Sequence, residues 1–163
     1  MTTTAHDPAA ASALAPELLL RIHDLMVKTR VLEERLITMY KQGDGYFWIG
    51  GPGEEAFNVV LGLLTHKGRG PAYDYLHLHY RSAGTLLALG ANPVDFLRQM
   101  KNVASDPFSG GRNFAGHSVI PEWNVVPITS PIEVQYSIAP GTALAQKRSG
   151  GKVVTVLKGI HLG

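Results

Sequence analysis

Cysteine is absent from this sequence of 163 residues. Disulfide bonds and thiolate metal sites are therefore excluded, and the lack of cysteine fits a protein of the reducing cytoplasm. No apolar run reaches the ~18 residues that a transmembrane helix needs, so we expect no membrane partner. The first residues, 1–15, lack the basic start of a secretory signal peptide, and we expect them to form a mobile arm.

Charge is also sparse, since charged residues make up 17% of the sequence and hydrophobic residues 45%. A net charge of +2 is too small to indicate a nucleic-acid partner. Acidic residues almost vanish in the last third, where only Glu122 and Glu133 follow Asp106. This basic third would suit either a phosphate-bearing ligand or an acidic surface in an assembly. The length allows one domain with a hydrophobic core.

The stretch 127–159 contains a polar turn, a helix and an apolar run. Ser130 is predicted to cap the helix, with Pro131 at the first helical position and Glu133 completing a capping box. Pro140 predicts either a kinked helix or two separate pieces. The short β-branched run 153–157 is typical of a strand that is buried on both faces.

A helix that leads into such a strand predicts an α/β fold, with helices around a short parallel sheet. In this class of fold, ligands bind outside the carboxyl ends of the strands. The sequence therefore directs attention to Lys158 and Gly159, which follow the predicted strand.

Apolar residues at helical spacing predict a long helix over 16–42. Its water-facing side is assigned to Arg30, Glu33, Glu34 and Arg35. Such a helix either packs across a subunit boundary or belongs to the core. The next segment, 43–53, holds five glycines and one proline, which exclude regular structure. Its four large residues, 46–49, either enter the core or line a pocket.

Hydrogen-bonding side chains are concentrated between Tyr73 and Arg81. His77 and His79 lie two residues apart, so a strand would place both on one face, as metal ligands require. No third ligand is apparent in the sequence. Arg81 is a better candidate for an anion contact, because its guanidinium can bind phosphate oxygens in pairs; a surface ion pair is the alternative.

The connection 105–127 is long for a compact domain, and such loops are usually functional or disordered. Its aromatic residues favour order. Gly110, Gly111, Arg112 and His117 are its chemical candidates, because they offer a close backbone approach, a cation and a titrating imidazole.

Six motifs, in order and spacing, resemble one family: R-V-L-E-E-R-L, F-W-I-G-G-P-G-E-E-A, H-Y-R-S-A-G-T-L-L-A-L-G, S-G-G-R-N-F-A-G-H, T-S-P-I-E-V-Q and G-T-A-L-A-Q-K-R. The family is the alpha subunit of thiamine diphosphate-dependent 2-oxo acid dehydrogenases, particularly the branched-chain, 2-oxoisovalerate type. The resemblance extends from Leu18 to Gly159 and implies the thiamine diphosphate-binding fold.

The resemblance implies a role for each matching position. Tyr80 and Arg81 match the pair that binds the cofactor diphosphate, and His117 matches a catalytic histidine near the thiazolium. Ser130 and Ile132 match the residues that hold the aminopyrimidine.

Two further sets of positions follow from the same resemblance. Phe47 and Ile49 match positions that line the substrate pocket, and an apolar residue at position 49 would favour a branched aliphatic substrate. A loop that binds potassium in some members matches Thr129, Ser130, Pro131 and Gln135, although Val134 stands where a threonine ligand is often found.

The resemblance ends where the family has its Mg²⁺-binding motif. Gly159 is followed by Ile160 rather than by an aspartate, and a hard cation needs such an oxygen ligand. We therefore expect the Mg²⁺ ligands to be missing from this chain, and the last residues look like foreign sequence, as a frameshift or an altered gene end would leave. Residues 16–163 would then be a partial thiamine diphosphate-binding domain whose C-terminal part is missing.

The implied function is oxidative decarboxylation of a branched-chain 2-oxo acid, followed by passage of the acyl group to a lipoyl carrier. The implied partners are a beta subunit, within a heterotetramer, and the lipoyl acyltransferase of the complex. The isolated chain is expected to be inactive. Two alternatives remain: a chain that only associates through the helix 16–42, or a phosphate-ligand module that uses Arg81, Arg112 and the Ser130 turn.

Overall fold

The computed structural model describes residues 14–131, 133–151 and 154–158. Ile132, Gly159 and the tail 160–163 lie outside the described residues, as does nearly all of the predicted arm 1–15. The elements in chain order are α1 (Pro16–Lys41), α2 (Glu55–Leu64), β1 (Tyr75–His77), α3 (Ala83–Ala88), α4 (Pro93–Met100), a 3₁₀ turn (Pro121–Trp123), α5 (Val134–Arg148) and β2 (Thr155–Leu157).

Strands β1 and β2 pair in parallel, with Leu76 opposite Val156 and His77 opposite Leu157. A single parallel bridge joins Leu76 to Val125 on the connection that precedes α5. The connection from β1 to β2, which contains α3, α4 and α5, provides the crossover that a parallel pair requires. The predicted α/β fold with a short parallel sheet is confirmed.

The hydrophobic core surrounds β1 and the C-terminal half of α1. Leu76, Leu78, Leu86 and Met100 are at most 2% exposed. Helix α1 contributes Leu32, Leu36 and Met39 to the same cluster, whereas several other apolar residues along this helix are exposed: Leu18, Leu19, Leu20, Val27 and Val31. None of the helices among the described residues is long and apolar enough to cross a bilayer.

The local predictions for the last stretch need three corrections. Helix α5 begins at Val134 with Glu133 at its N-cap position and no capping side chain, so Ser130 is not a helix cap. Pro140 lies inside one continuous helix. It has no N–H to donate to the Tyr136 carbonyl, but both residues are exposed, so water can bind that carbonyl instead. Strand β2 is half-buried rather than buried on both faces.

Candidate functional site

Three segments meet beyond the carboxyl ends of the two strands. The first is 79–81, directly after β1, and the second is the part of the long connection around His117. The third is the turn 127–131 that leads towards α5. This is the side of a parallel sheet at which ligands bind, and the geometry brings Tyr80, Arg81, His117 and Ser130 into one region.

Close contact between Gly116 and Tyr80 holds the long connection against the segment after β1. Gly116 has φ +84°, and a Cβ atom there would lie 2.7 Å from the Tyr80 carbonyl oxygen. The position therefore requires glycine both for its backbone angle and for its space. The next residue, His117, is thereby placed with its ring stacked on Tyr80, at 5.8 Å between centroids and 20° between planes.

A row of aromatic rings continues from His117 towards the glycine-rich loop. Phe114 contacts His117 edge-on at a centroid distance of 4.5 Å, and Phe47 contacts Phe114 in the same manner at 5.1 Å. Aromatic pairs favour such edge-to-face geometry. Phe47 therefore reaches the same region as His117, but it lies at the exposed end of the row.

His117 is buried, and both of its ring nitrogens have partners. The Nδ1 atom lies 3.1 Å from the Ala115 carbonyl oxygen, which can only accept, so Nδ1 carries a proton. In the neutral ring, Nε2 then accepts from the Ser130 hydroxyl at 2.6 Å. The ring is thus held by the backbone on one side and presents a proton acceptor to the exposed Ser130 on the other.

Arg81 is the cation of the site. Its Nε donates to the Gly50 carbonyl at 3.0 Å, and its guanidinium carbon lies 5.1 Å from the centre of the Tyr80 ring. Within the described part of the chain, no carboxylate pairs with this guanidinium. The side chain is therefore fixed at Nε and retains donors for an anion.

Lys158 is a second cation nearby, but its donors are used inside the protein. Its Nζ donates to Glu54 at 2.7 Å, to Asn58 at 2.8 Å and to the Arg81 carbonyl at 3.2 Å. Burial lowers the pKa of Lys158, while the hydrogen bond to Glu54 acts in the opposite direction. Lys158 therefore supports the backbone of Arg81 rather than serving as a free phosphate ligand.

The two histidines after Asp74 do not form a metal-ligand pair. His77 belongs to β1, and its two ring nitrogens bond to Gln135 and Thr142. His79 lies beyond β1, and its Nδ1 accepts from the Arg81 backbone. Among residues 14–131, 133–151 and 154–158, no group of three or more His, Asp or Glu residues suits a metal ion.

His79 is kept neutral by its surroundings. Burial, followed by the positive charges of Lys158 and Arg81, lowers the pKa of His79 from 6.5 to about 4. Protonation of a buried imidazole beside two positive charges is unfavourable, because the imidazolium would lose hydration and be repelled by both cations. His79 therefore adds no positive charge to the region at neutral pH.

Glu33 anchors the glycine-rich loop to α1. Its carboxylate accepts from Trp48 Nε1 at 3.0 Å and from the Gly51 backbone at 3.5 Å, and burial raises the pKa of Glu33. The assignment of Glu33 to the water-facing side of the helix was wrong, since only 3% of it is exposed. Its spacing from Thr29 and Leu36, on the buried face, was the signal that sequence reasoning missed.

A small cavity of ≈ 20 Å³ lies behind the loop and is lined by Glu33, Ile49, His79, Tyr80 and Ser118, among others. Its volume admits about one water molecule. His79 Nε2 and Ser118 Oγ are buried atoms without a hydrogen-bond partner among the described residues. Ile49 therefore lies close to Tyr80, but the cavity that it lines in this chain is too small for an organic substrate.

A larger cleft of ≈ 290 Å³ opens on the other side of His117, and it is lined by Phe108, Ser109, Arg112, Asn113, His117, Val119, Pro127 and Ile128. The buried Asp106 shapes its wall, because its carboxylate accepts from the backbone of Phe108 and Ser109 and from the Ser109 hydroxyl. The cleft thus combines an imidazole and a guanidinium on an ordered loop.

Three residues of the predicted potassium loop, Thr129, Ser130 and Pro131, lie in the turn before α5, and the fourth, Gln135, lies in the first turn of α5. Gln135 is buried and donates through Nε2 to the Pro127 carbonyl and to the Thr129 hydroxyl, at 3.1 and 3.3 Å. The Thr129 hydroxyl in turn donates to the Pro131 carbonyl at 3.2 Å. The turn is therefore closed by its own hydrogen bonds.

Comparison with known proteins gives a consistent result. The profile of the family described as "Dehydrogenase E1 component" matches residues 23–159. The chain is 30% identical over 145 residues to the 2-oxoisovalerate dehydrogenase subunit alpha of Bacillus subtilis, covering 89% of the chain and 42% of that protein. The mitochondrial subunits alpha of Caenorhabditis elegans and Homo sapiens are each 28% identical, over 142 and 153 residues, covering 86% and 92% of the chain. The chain spans 32% of the length of either protein.

Proposed function

The chain belongs to the family of dehydrogenase E1 components, as its resemblance to 2-oxo acid dehydrogenase alpha subunits predicted, and we propose that it provides half of a thiamine diphosphate site. The observation that carries this proposal is the meeting of Tyr80, Arg81, His117 and Ser130 beyond the strand ends. Thiamine diphosphate is the cofactor that the family implies. We further propose that residues 16–163 form one thiamine diphosphate-binding domain.

The chemistry of these residues fits the cofactor. Arg81 is held at Nε by Gly50 and would bind a diphosphate through its remaining donors, supported by the Tyr80 ring on which it lies. Ser130 and the buried His117 form a hydrogen-bonded pair that would hold a ring nitrogen or transfer a proton beside it. When bound, thiamine diphosphate supplies a carbanion that attacks a carbonyl group and stabilises the product of decarboxylation.

The proposed reaction is the oxidative decarboxylation of a branched-chain 2-oxo acid, with the acyl group passed to a lipoyl carrier. The substrate class rests on the names of the relatives and on the apolar side chain of Ile49 near Tyr80. Because the cavity beside Ile49 is so small, we propose that a beta subunit completes the pocket, in a heterotetramer that serves a lipoyl acyltransferase. The cytoplasm is the proposed compartment.

Magnesium would neutralise the charge of the diphosphate, but we propose that its carboxylate ligand is missing from this chain, because Ile160, which lies outside the described residues, stands where the family has an aspartate. We accordingly propose that the isolated chain does not turn over 2-oxo acids. Turnover by the purified chain, dependent on thiamine diphosphate and Mg²⁺, would contradict this statement.

A second candidate is a chain that acts only in assembly. It is favoured by the exposed apolar residues of α1, among which Leu20 is 70% and Val31 58% exposed. Isolated apolar side chains are normal on a surface, but a row of them along one helix suits a protein partner. This candidate predicts association without any affinity for thiamine diphosphate.

Calorimetric titration of the purified chain with thiamine diphosphate distinguishes the two candidates. Binding that is at least tenfold weaker in Arg81→Gln than in the parent would support the cofactor site. Arg112→Gln is the matched control, because Arg112 is an exposed arginine on the cleft loop that the proposal leaves out. Absence of binding, or equal loss in both variants, would reject the cofactor site in favour of assembly alone.

A further inference from the structure

His77 occupies a central place behind the proposed cofactor turn. Its ring is fully buried at the end of β1, and it bridges two side chains of α5. Nδ1 lies 2.8 Å from Gln135 Oε1, and Nε2 lies 3.0 Å from Thr142 Oγ1. One imidazole thus connects the sheet to the first and third turns of the helix.

The directions of these hydrogen bonds follow from the groups around them. Gln135 donates through Nε2 to Pro127 and Thr129, so its amide oxygen faces His77 and accepts from Nδ1. In the neutral ring, Nε2 then accepts a hydrogen bond from the Thr142 hydroxyl. Every polar atom of this chain of bonds has a partner, which is the condition for a buried network to be stable.

The same bonds decide whether the turn suits a potassium ion. A cation site needs several oxygen atoms directed at one point. Here the Gln135 oxygen is directed at His77, the Thr129 hydroxyl at the Pro131 carbonyl, and the Ser130 hydroxyl at His117. The side-chain oxygens of Thr129, Ser130 and Gln135 thus serve three different partners and are not directed at one point, so this set of side chains does not fit the ion.

We propose that His77 is the positioning residue of the turn 127–131. Its imidazole, bonded to Gln135 and Thr142, holds this turn in place, which is the task that the resemblance assigns to potassium in some members of the family. Gln135 transmits the restraint, because it binds His77 on one side and both Pro127 and Thr129 on the other. Ser130 is then presented to His117 without any ion. The part of this inference that concerns the cofactor rests on the proposed function, whereas the independence from potassium does not.

The first test uses the purified chain without cofactor. Its thermal unfolding is compared in potassium, sodium and choline chloride at equal ionic strength, and we expect the same Tm in all three. A two-bond ¹H–¹⁵N correlation spectrum should show His77 as the Nδ1–H tautomer, unchanged by potassium. A potassium-specific rise in Tm, or a spectrum in which potassium alters the His77 signals, would overturn the proposal.

The second test compares three variants. His77→Phe removes both bonds and should lower Tm by several degrees. Thr142→Val removes only the bond at Nε2 and keeps the one to Gln135, so it should fold with a smaller loss. Ser137→Ala is the matched control, because this exposed hydroxyl bonds only to the Val134 carbonyl in the same helix.

Hydrogen exchange separates positioning from general stability. We expect the amide of Ile128, which donates to the Ser118 carbonyl at 3.4 Å, to exchange at least tenfold faster in His77→Phe and to be accelerated less in Thr142→Val, which keeps the Gln135 bond. The amides of α2 should stay unchanged, and Ser137→Ala should resemble the parent. Uniform acceleration in both segments would reject a positioning role. If the parent fails to bind thiamine diphosphate while these exchange results hold, the proposed function fails and the positioning role of His77 stands.

Discussion

Lys158 and Glu54, which lie 104 positions apart in sequence, form an ion pair with 2.7 Å between Nζ and Oε2. The pair joins the end of β2 to the N-terminus of α2. Only 4% of the Lys158 side chain is exposed, against 37% for Glu54, so the lysine carries the cost of burial. Its other two bonds, to Asn58 and the Arg81 carbonyl, complete the set of three donors.

We predict that Lys158→Met lowers the free energy of unfolding by about 2–3 kcal/mol. The variant removes one hydrogen-bond donor from Asn58 Oδ1 and one from the Arg81 backbone carbonyl. We expect a smaller loss of stability than the ~3–5 kcal/mol typical of breaking a fully buried ion pair, because Glu54 is partly exposed and water can hydrate its carboxylate. Urea unfolding at pH 7 measures the change. Lys101→Met is the control, because the Lys101–Asp44 pair is about half exposed on both sides and should cost less than ~1 kcal/mol. Equal losses in the two variants would contradict this assignment.

The lowered pKa of His79 predicts acid sensitivity. Between 6.5 and about 4 the unfolded chain binds a proton at His79 that the folded chain does not, so the unfolding free energy falls as the pH drops through this window. The loss at the acid end is on the order of 2–3 kcal/mol. Glu33, whose raised pKa has the opposite sign, reduces the net slope above pH 4.5.

His79→Gln should therefore flatten the acid side of the stability profile measured by urea unfolding between pH 4 and 7. His23→Gln, on the exposed side of α1, should leave the profile as it is. An unchanged slope in His79→Gln would mean that another group is responsible for the acid sensitivity.

The fold could be read from the sequence wherever one local signal dominated. Apolar residues at helical spacing predicted α1, and the short β-branched run predicted β2. Asn92 and Pro93 are a further local signal, since Asn92 Oδ1 accepts from the Val94 backbone at 3.0 Å at the start of α4. Ser130 carried an equally clear capping signal, but its hydroxyl bonds to His117 instead, because a tertiary contact replaced the local one.

The candidate site could be predicted only in part, because its supporting contacts are far apart in sequence. Tyr80, Arg81, His117 and Ser130 were named as candidates and lie in one region. Their supports could not be named: the partners of Lys158 are up to 104 positions away. Nothing in the local sequence around Lys158 distinguishes a buried cation from a surface one.

The bond between Trp48 and Glu33 gives a prediction about the glycine-rich loop. Trp48→Phe keeps an aromatic ring but removes the donor to the Glu33 carboxylate. Since the buried Glu33 carboxyl group loses a hydrogen-bond donor, we expect the unfolding free energy at pH 7 to drop by about 1–3 kcal/mol. The pKa of Glu33 should rise further, because the bond from Trp48 lowers it. Thermal or urea unfolding measures the former, and ¹³C NMR of the Glu33 carboxyl group the latter.

Trp123→Phe is the matched control for this variant, since the Trp123 ring is half-buried and its contact with Lys67 does not involve Glu33. Its Glu33 carboxyl group should titrate as in the parent. If Trp48→Phe also left that titration unchanged, the loop would not depend on the Trp48 donor.

The effect of a glycine-to-alanine substitution should differ between Gly116, which contacts Tyr80, and Gly141 in α5. In Gly116→Ala the new Cβ would lie 2.7 Å from the Tyr80 carbonyl at a φ of +84°, so strain and overlap together should cost about 2–4 kcal/mol. In Gly141→Ala the methyl group meets nothing within 4 Å, and α5 should gain about 0.5–1 kcal/mol from the better helix former.

The same substitution should therefore have opposite signs at the two positions, and urea midpoints at constant slope would measure both. If Gly116→Ala proved neutral, the long connection could not be packed against Tyr80 as described, and His117 would lose its fixed place over the ring. Because Gly141 lies outside the proposed cofactor site, a loss of stability at both positions would point instead to a general intolerance of added side chains.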